Sequence, residues 1–171
     1  FHAGDFEAMC GIAGRLDRNA GLGEADLAAR VRAMTTAIAH RGPDGDGVWT
    51  DAAAGIGLGH RRLAIIDVSP LGAQPMASAD GRYVATYNGE IYNFAELRAE
   101  LEAAGVAFRG HSDTEVVLEG FSRWGIDATI RRCEGMFAWA IWDRKTRTLR
   151  LIRDRLGVKP LYYAHDGSRL I

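Results

Sequence analysis

The spacing of apolar residues changes repeatedly along this chain, and each change marks the edge of a predicted element. Gly11 to Leu16 mixes glycine with aliphatic residues and predicts a buried strand. Leu27, Val31, Met34 and Ile38 then recur every three or four positions, on one face of a helix from about Glu24 to Ala39. His40 to Gly47 is dense in glycine, proline and aspartate and predicts an irregular loop. Val48-Trp49 and Ile56 to Ile66 predict strands, the second carrying His60, Arg61, Arg62 and Leu63. Tyr83 to Ile91 predicts a strand pair folded back at Asn88-Gly89, a dipeptide suited to the positive φ values of a type I′ turn.

Two helices follow. Asn93 offers an N-cap with Glu96 three residues on, ahead of Leu97 and Leu101, and Gly105 stops that helix. Ser112 and Glu115 repeat the pattern before a helix reaching about Trp124, which puts Asp113 in its first turn. Met136 to Asp143, Thr148 to Arg153, Leu161 to Ala164 and Arg169 onward are apolar or alternating runs joined by short polar turns, the pattern of an antiparallel meander. The elements together predict an α+β fold. With 171 residues, 47% of them hydrophobic, and no repeat or linker, one domain with a substantial core is expected.

Charge and cysteine usage narrow the function classes. A formal net charge of −1 supplies no basic footprint for nucleic acid, and no run approaches the roughly 20 apolar residues that span a bilayer. Cys10 and Cys133 lie far apart, with no CxxC and no clustered His/Cys spacing, so neither a disulfide framework nor a metal site is expected, and a reducing, cytoplasmic setting fits. Phe1 to Ala8 lack the features of a secretory signal. They are expected to be a tag remnant, a propeptide or a misplaced start, followed by Met9 as initiator. The abrupt end at Ile171, inside a strand, suggests a fragment of something longer.

Met9-Cys10-Gly11-Ile12-Ala13-Gly14 carries the candidate chemistry. If Met9 is removed, Cys10 holds a thiol and a free α-amine on one carbon, and an amine with a pKa of about 8 can serve as the thiol's general base. Alone, the motif equally fits a small buried cysteine opening an apolar strand. Arg61 and Arg62 point to opposite faces of their strand, so at most one faces a pocket, and Arg61 is expected to be solvated.

The ordered segments Cys10-Gly-Ile-Ala-Gly, Arg41-Gly-Pro-Asp-Gly, His60-Arg-Arg-Leu, Tyr87-Asn-Gly-Glu-Ile-Tyr-Asn93, Ser112-Asp-Thr-Glu115, Gly135 to Asp143 and Arg153 to Tyr163 closely resemble the N-terminal glutaminase domain of glutamine-hydrolysing asparagine synthetases. These are class II glutamine amidotransferases, of the N-terminal-nucleophile hydrolases. The resemblance implies a four-layer α/β/β/α sandwich with two mostly antiparallel sheets, over residues 10–171, truncated at its C-terminal end. It implies that Cys10 attacks the side-chain amide of L-glutamine to give a thioester, with the Asn88 amide and the Gly89 N–H holding the oxyanion. By the same resemblance Arg62 clamps the α-carboxylate, Asp113 pairs with the α-amino group, and Glu90 lies near that group. Arg41 and Asp44 are expected to order the loop beside Cys10.

His40, His60 and His111 are expected to be structural, Cys133 unreactive, and Lys159-Pro160 architectural. The resemblance implies no cofactor and no metal in this domain; ATP and magnesium would belong to a C-terminal synthetase domain, since neither a Ser-Gly-Gly-x-Asp-Ser loop nor a P-loop occurs here. The partners implied are glutamine and that domain, with neither nucleic acid nor membrane. Relatives that build glucosamine 6-phosphate or phosphoribosylamine share the nucleophile and oxyanion pair, but Arg41 to Asp44 and Arg153 to Tyr163 favour the asparagine-synthetase branch. An alternative of another class is a non-catalytic scaffold module in which Cys10 stays blocked by the residues before it.

Overall fold

A computed structural model of the protein describes residues 9–19 and 21–171. The expectation of a tag remnant, propeptide or misplaced start concerns residues 1–8, which lie outside the described residues. Among the described residues, eight strands form two four-stranded sheets in which every pairing is antiparallel. The first has the order β2 (Gly45–Asp51), β3 (Ile56–Arg62), β1 (Gly11–Asp17) and β8 (Arg169–Leu170). The second has the order β4 (Met76–Ala77), β5 (Tyr83–Ile91), β6 (Gly135–Asp143) and β7 (Thr148–Arg153).

Side-chain alternation turns these sheets into inner layers. From β3, Ile56 and Leu58 meet Val84 of β5 and Ala140 and Trp142 of β6 between the sheets. The residues in between are Gly57 and Gly59, and an added Cβ would lie 2.6 Å from Val31 and 2.4 Å from Thr35. Helix α1 (Glu24–Ala37) therefore seats against bare backbone, burying Leu27, Val31 and Thr35. On the far side, Tyr87 and Ile91 of β5 and Phe137, Trp139 and Ile141 of β6 pack under α2 (Phe94–Ala103) and α3 (Asp113–Trp124). The Tyr87 and Trp139 rings stack at 4.0 Å, with Phe121 of α3 edge-on to Trp139 at 5.8 Å. Helix, sheet, sheet, helix is the expected four-layer order.

Several local expectations yield to long-range pairing. The predicted hairpin at Asn88-Gly89 does not exist: β5 runs unbroken, with Asn88 opposite Ala138 and Gly89 opposite Phe137 on β6. Gly89 does not take a positive φ. It is glycine because β6 passes so close that a Cβ would stand 2.1 Å from the Met136 carbonyl oxygen. Strand β2 likewise starts at Gly45, inside the predicted loop, because Gly45, Asp46 and Gly47 pair with Arg62, Arg61 and His60 of β3, and a Cβ on Gly47 would lie 2.0 Å from the Gln74 carbonyl oxygen. Strand β3 ends at Arg62, four residues short of Ile66.

The helix caps divide. Ser112 accepts from the Glu115 N–H at 3.2 Å, as expected for α3. Asn93 stands at the N-cap of α2, but its amide donates to the Arg132 carbonyl and accepts from the Glu134 N–H, both at 2.9 Å. That side chain ties α2 to the end of α4 (Ile126–Arg132), a helix the pattern did not predict. The meander stops at β7, for Leu161 to Ala164 is not a strand and β8 crosses to pair with β1. Among the described residues no helix is long and apolar enough to cross a membrane.

Candidate active site

Cys10 immediately precedes β1, whose first residue Gly11 pairs with Arg61, so the thiol emerges beside Arg62 at the end of β3. Its Sγ accepts from the Leu63 N–H at 3.3 Å and its S–H donates to the Leu63 carbonyl at 3.5 Å. Burial pushes the Cys10 thiol pKa up, while the Leu63 hydrogen bond and the Arg62 charge pull against it. The resting group is thus a neutral thiol that needs a base before it can attack. On the other side of Cys10, the Met9 carbonyl accepts from Arg41 Nε at 3.3 Å, and Met9 Sδ lies 2.8 Å from Lys159 Nζ. Asp44 accepts from the Ala64 N–H at 2.9 Å. Arg41 and Asp44 thereby order the backbone around Cys10, as expected.

One cleft is lined by Cys10, Arg62, Gly89, Glu90 and Asp113, together with Gln74, Tyr87 and the segment Leu63 to Asp67. Arg62 donates to the Ser69 carbonyl at 2.9 Å and to the Asp67 carbonyl. Two of its five N–H groups are thus spent on the loop, leaving the rest of the fork for a ligand. The loop closes tightly because Gly72 leaves room: a Cβ there would stand 2.4 Å from the guanidinium. Asp67 braces the loop through Ser69 N–H at 2.8 Å and His111 N–H at 3.0 Å.

Across the cleft, Asp113 Oδ2 accepts from the Tyr87 hydroxyl at 2.8 Å and the Ile91 N–H at 3.0 Å, and Oδ1 accepts from the Thr114 N–H at 2.8 Å. Burial pushes its carboxyl pKa up, and those donors pull it down. A cation on one wall, carboxylates on another and a thiol in the same cleft suit the two charged ends of an α-amino acid.

The edge of β5 supplies a donor. Strand β4 pairs only with Val84 and Ala85, so the rest of that edge is uncovered. The Tyr87 N–H goes to Gln74 Oε1 at 2.7 Å and the Ile91 N–H to Asp113. Alternate N–H groups of a strand point to one edge, so the Gly89 N–H lies between these two and faces the cleft. Asn88 does not line the cleft. It is buried, and alternation with Val84 and Thr86 turns its side chain toward the first sheet. Val84 packs on Ile56 and Leu58, and Thr86 bonds to the Gly59 carbonyl and His60, so each step along β5 follows β3 toward Arg62. Asn88 is the next step.

Other residues resolve simply. Arg61 is not solvated: it donates to the Thr35 carbonyl at 3.0 Å and faces Asp46, locking α1 to β2 and β3. His60 is fully buried, with Nδ1 at 3.1 Å from Thr86 Oγ1, and burial with the Arg62 charge lowers its pKa to about 3. It is a neutral structural group. Cys133 is fully buried in the helix-side core, with its pKa raised to about 12. No cluster of three or more metal-binding side chains occurs among the described residues. Sequence reasoning missed Tyr87 and Gln74 as supports, and assigned Lys159 no place beside Cys10. Tyr87 was signalled by alternation from Asp113's partner strand, whereas nothing local announced the other two.

A model of the glutamine amidotransferase domain family matches residues 9–171. The chain is similar to asparagine synthetase [glutamine-hydrolyzing] 1 of Bacillus subtilis (strain 168), 43% identical over 155 residues, covering 91% of this chain and 24% of that protein. It is also similar to amidase chry2 of Gibberella zeae, 41% identical over 134 residues, covering 78% of this chain and 20% of that protein. It spans about a quarter of the length of the curated relatives it matches. Among solved structures, the glutamine phosphoribosylpyrophosphate amidotransferase of B. subtilis, complexed with ADP and GMP, superposes with a TM-score of 0.72 at 20% identity, covering 95% of this chain and 40% of that one, a likeness of fold. With a match over nearly its whole length, on a four-layer sandwich of this kind, the chain belongs to the glutamine amidotransferase domain family.

Proposed function

We propose that this domain, once Cys10 is its first residue, hydrolyses L-glutamine to glutamate and ammonia. The α-amine of Cys10 takes the thiol proton and Sγ attacks the side-chain amide carbon of glutamine. The tetrahedral oxyanion is held by the Gly89 N–H, joined by the Asn88 side-chain amide once that group turns from the first sheet into the cleft. The amine returns the proton to the leaving nitrogen, the C–N bond breaks, and a γ-glutamyl thioester remains. Water then attacks the thioester, the C–S bond breaks, and glutamate leaves with the thiol restored. Arg62 binds the α-carboxylate, and Asp113 with Glu90 the α-ammonium.

The observation that carries this reading is the convergence of Cys10, Arg62, Glu90 and Asp113 on one cleft into which the Gly89 N–H opens. In a longer protein the ammonia would feed an ATP-dependent amidation of a carboxylate, aspartate or a similar acceptor, in a C-terminal synthetase domain, within the cytoplasm. The names of the relatives support a synthetase partner, and the amidase among them leaves the acceptor open.

The test is ammonia release from glutamine by protein processed to begin at Cys10, beside its Cys10→Ala variant and a form retaining Met9. Ammonia release by the processed protein alone is the expected result. Equal release by Cys10→Ala removes the nucleophile assignment. A processed form that is as inert as the one retaining Met9 favours the scaffold reading.

A further inference from the structure

Lys159 is a buried cation that the scheme above leaves unused. It is 4% exposed, and its Nζ meets Sδ of Met9, the residue that precedes Cys10, at 2.8 Å. A thioether is a weak acceptor, and no carboxylate accepts from this ammonium among the described residues.

Its position is imposed by the turn that carries it. Asp154 accepts from the N–H groups of Val158 at 2.8 Å and Lys159 at 2.9 Å, and from Phe137 of β6 at 3.2 Å. Arg153 donates to the Lys159 carbonyl at 2.6 Å. A turn fixed on both sides delivers one ammonium to one place.

We propose that Lys159 is a positioning residue for glutamine hydrolysis, holding its ammonium beside the terminal amine of Cys10 so that this amine stays unprotonated at neutral pH. The inference rests on the function proposed above. Removing Met9 takes away the thioether that Lys159 meets and the carbonyl that Arg41 grips, and creates an amine where an amide had been, in the corner those two cations line. A nearby like charge disfavours protonation. An unperturbed α-amine, with pKa about 8, is only about one-tenth free base at pH 7, and lowering it by about one unit makes it about half free base.

The other charges facing this corner are Arg62 from β3, Glu90 from β5 and Asp113 from α3, the two carboxylates opposing the effect. Asp154 is engaged by backbone donors. The same electrostatics act on Lys159 itself: burial and then the Arg41 charge pull its pKa below the ordinary value, and Cys10, Glu90 and Asp154 pull it up.

The experiment is the pH profile of kcat/KM for ammonia release by processed wild type, Lys159→Met and Lys159→Arg, with an NMR titration of the ¹⁵N-labelled terminal amine. Lys159→Met should move the acid limb and the amine titration upward by about one pH unit, so that activity falls about tenfold at pH 6.5 and by less than about twofold at pH 9. Lys159→Arg should keep the wild-type limb. An unmoved limb in Lys159→Met, or an equal loss at every pH, overturns the inference. If Lys159→Met does not fold, the wild-type titration decides: an amine at or above its ordinary value of about 8 overturns the inference. Wild type that titrates low yet releases no ammonia counts against the proposed function instead, leaving the electrostatic inference standing.

Discussion

Replacing Gly89 with alanine tests the fold and the chemistry at one position. The added methyl carbon would stand 2.1 Å from the Met136 carbonyl oxygen, 2.7 Å from Phe137 Cα and 2.8 Å from the Tyr87 ring. Two of the three obstacles are backbone, so no rotamer change relieves them. Ordinary contact begins near 3.4 Å, and β6 would have to retreat by roughly 1 Å where it pairs with β5. Overpacking of that kind costs about 1–3 kcal/mol, and a weakened ladder hydrogen bond adds about 1 kcal/mol. A total of about 3 kcal/mol predicts a melting temperature lower by about 6–12 °C for a domain of this size.

The same shift moves the N–H between Gln74 and Asp113 that faces the cleft, and loss of one oxyanion donor slows turnover by about 10²-fold or more. Circular-dichroism melting and ammonia release measure the two effects separately. A Gly89→Ala protein melting within about 2 °C of its parent would refute the close approach of β6. One that melts early but keeps its kcat would show that the Gly89 N–H has no part in the reaction.

Asp113→Asn keeps the shape of the side chain but cannot accept from every donor now aimed at it, Tyr87, Ile91 and Thr114 among them. It should raise KM for glutamine roughly 10- to 100-fold with a smaller change in kcat, and an unchanged KM would remove Asp113 from substrate binding. Asp143 is gripped by Arg82 through bonds of 3.1 and 2.8 Å, and its pKa is pushed down to about 2. A carboxyl whose folded pKa lies below the unfolded value of about 3.9 stabilises the fold above about pH 4, and that contribution is lost as pH falls toward 2. Asp143→Asn should therefore be less stable than wild type at neutral pH, with the gap closing across that window. Denaturant unfolding at pH 7 and pH 2.5 gives the comparison, and a gap that widens in acid would contradict the assignment.

What the sequence made legible depended on whether the relevant partner was near in the chain. Helix α3 was predicted with its cap and first-turn aspartate, because Ser112, Asp113 and Glu115 act on one another locally. Asn88-Gly89 misled because its turn propensity is local, whereas the Met136 carbonyl that makes the glycine necessary is supplied by a strand far along the chain. Arg61 was read as solvated because a strand facing outward says nothing about a helix above it, and α1 provides Thr35 as acceptor. The strand expected from Ile56 to Ile66 stops at Arg62, where the turn chemistry of Asp67, Ser69, Pro70 and Gly72 takes over. The site residues Cys10, Arg62, Glu90 and Asp113 were named from motif resemblance, and their convergence is a property of the sandwich rather than of any one motif.

The four residues from Tyr87 to Glu90 each serve a different direction: an aromatic ring toward the helices, an amide toward the opposite sheet, a backbone donor sideways, and a carboxylate at the rim. Such a strand has a parity. Inserting or deleting a single residue there would exchange the two faces and send the Asn88 amide into the oily layer under α3, a reversal that no swap of side chains produces.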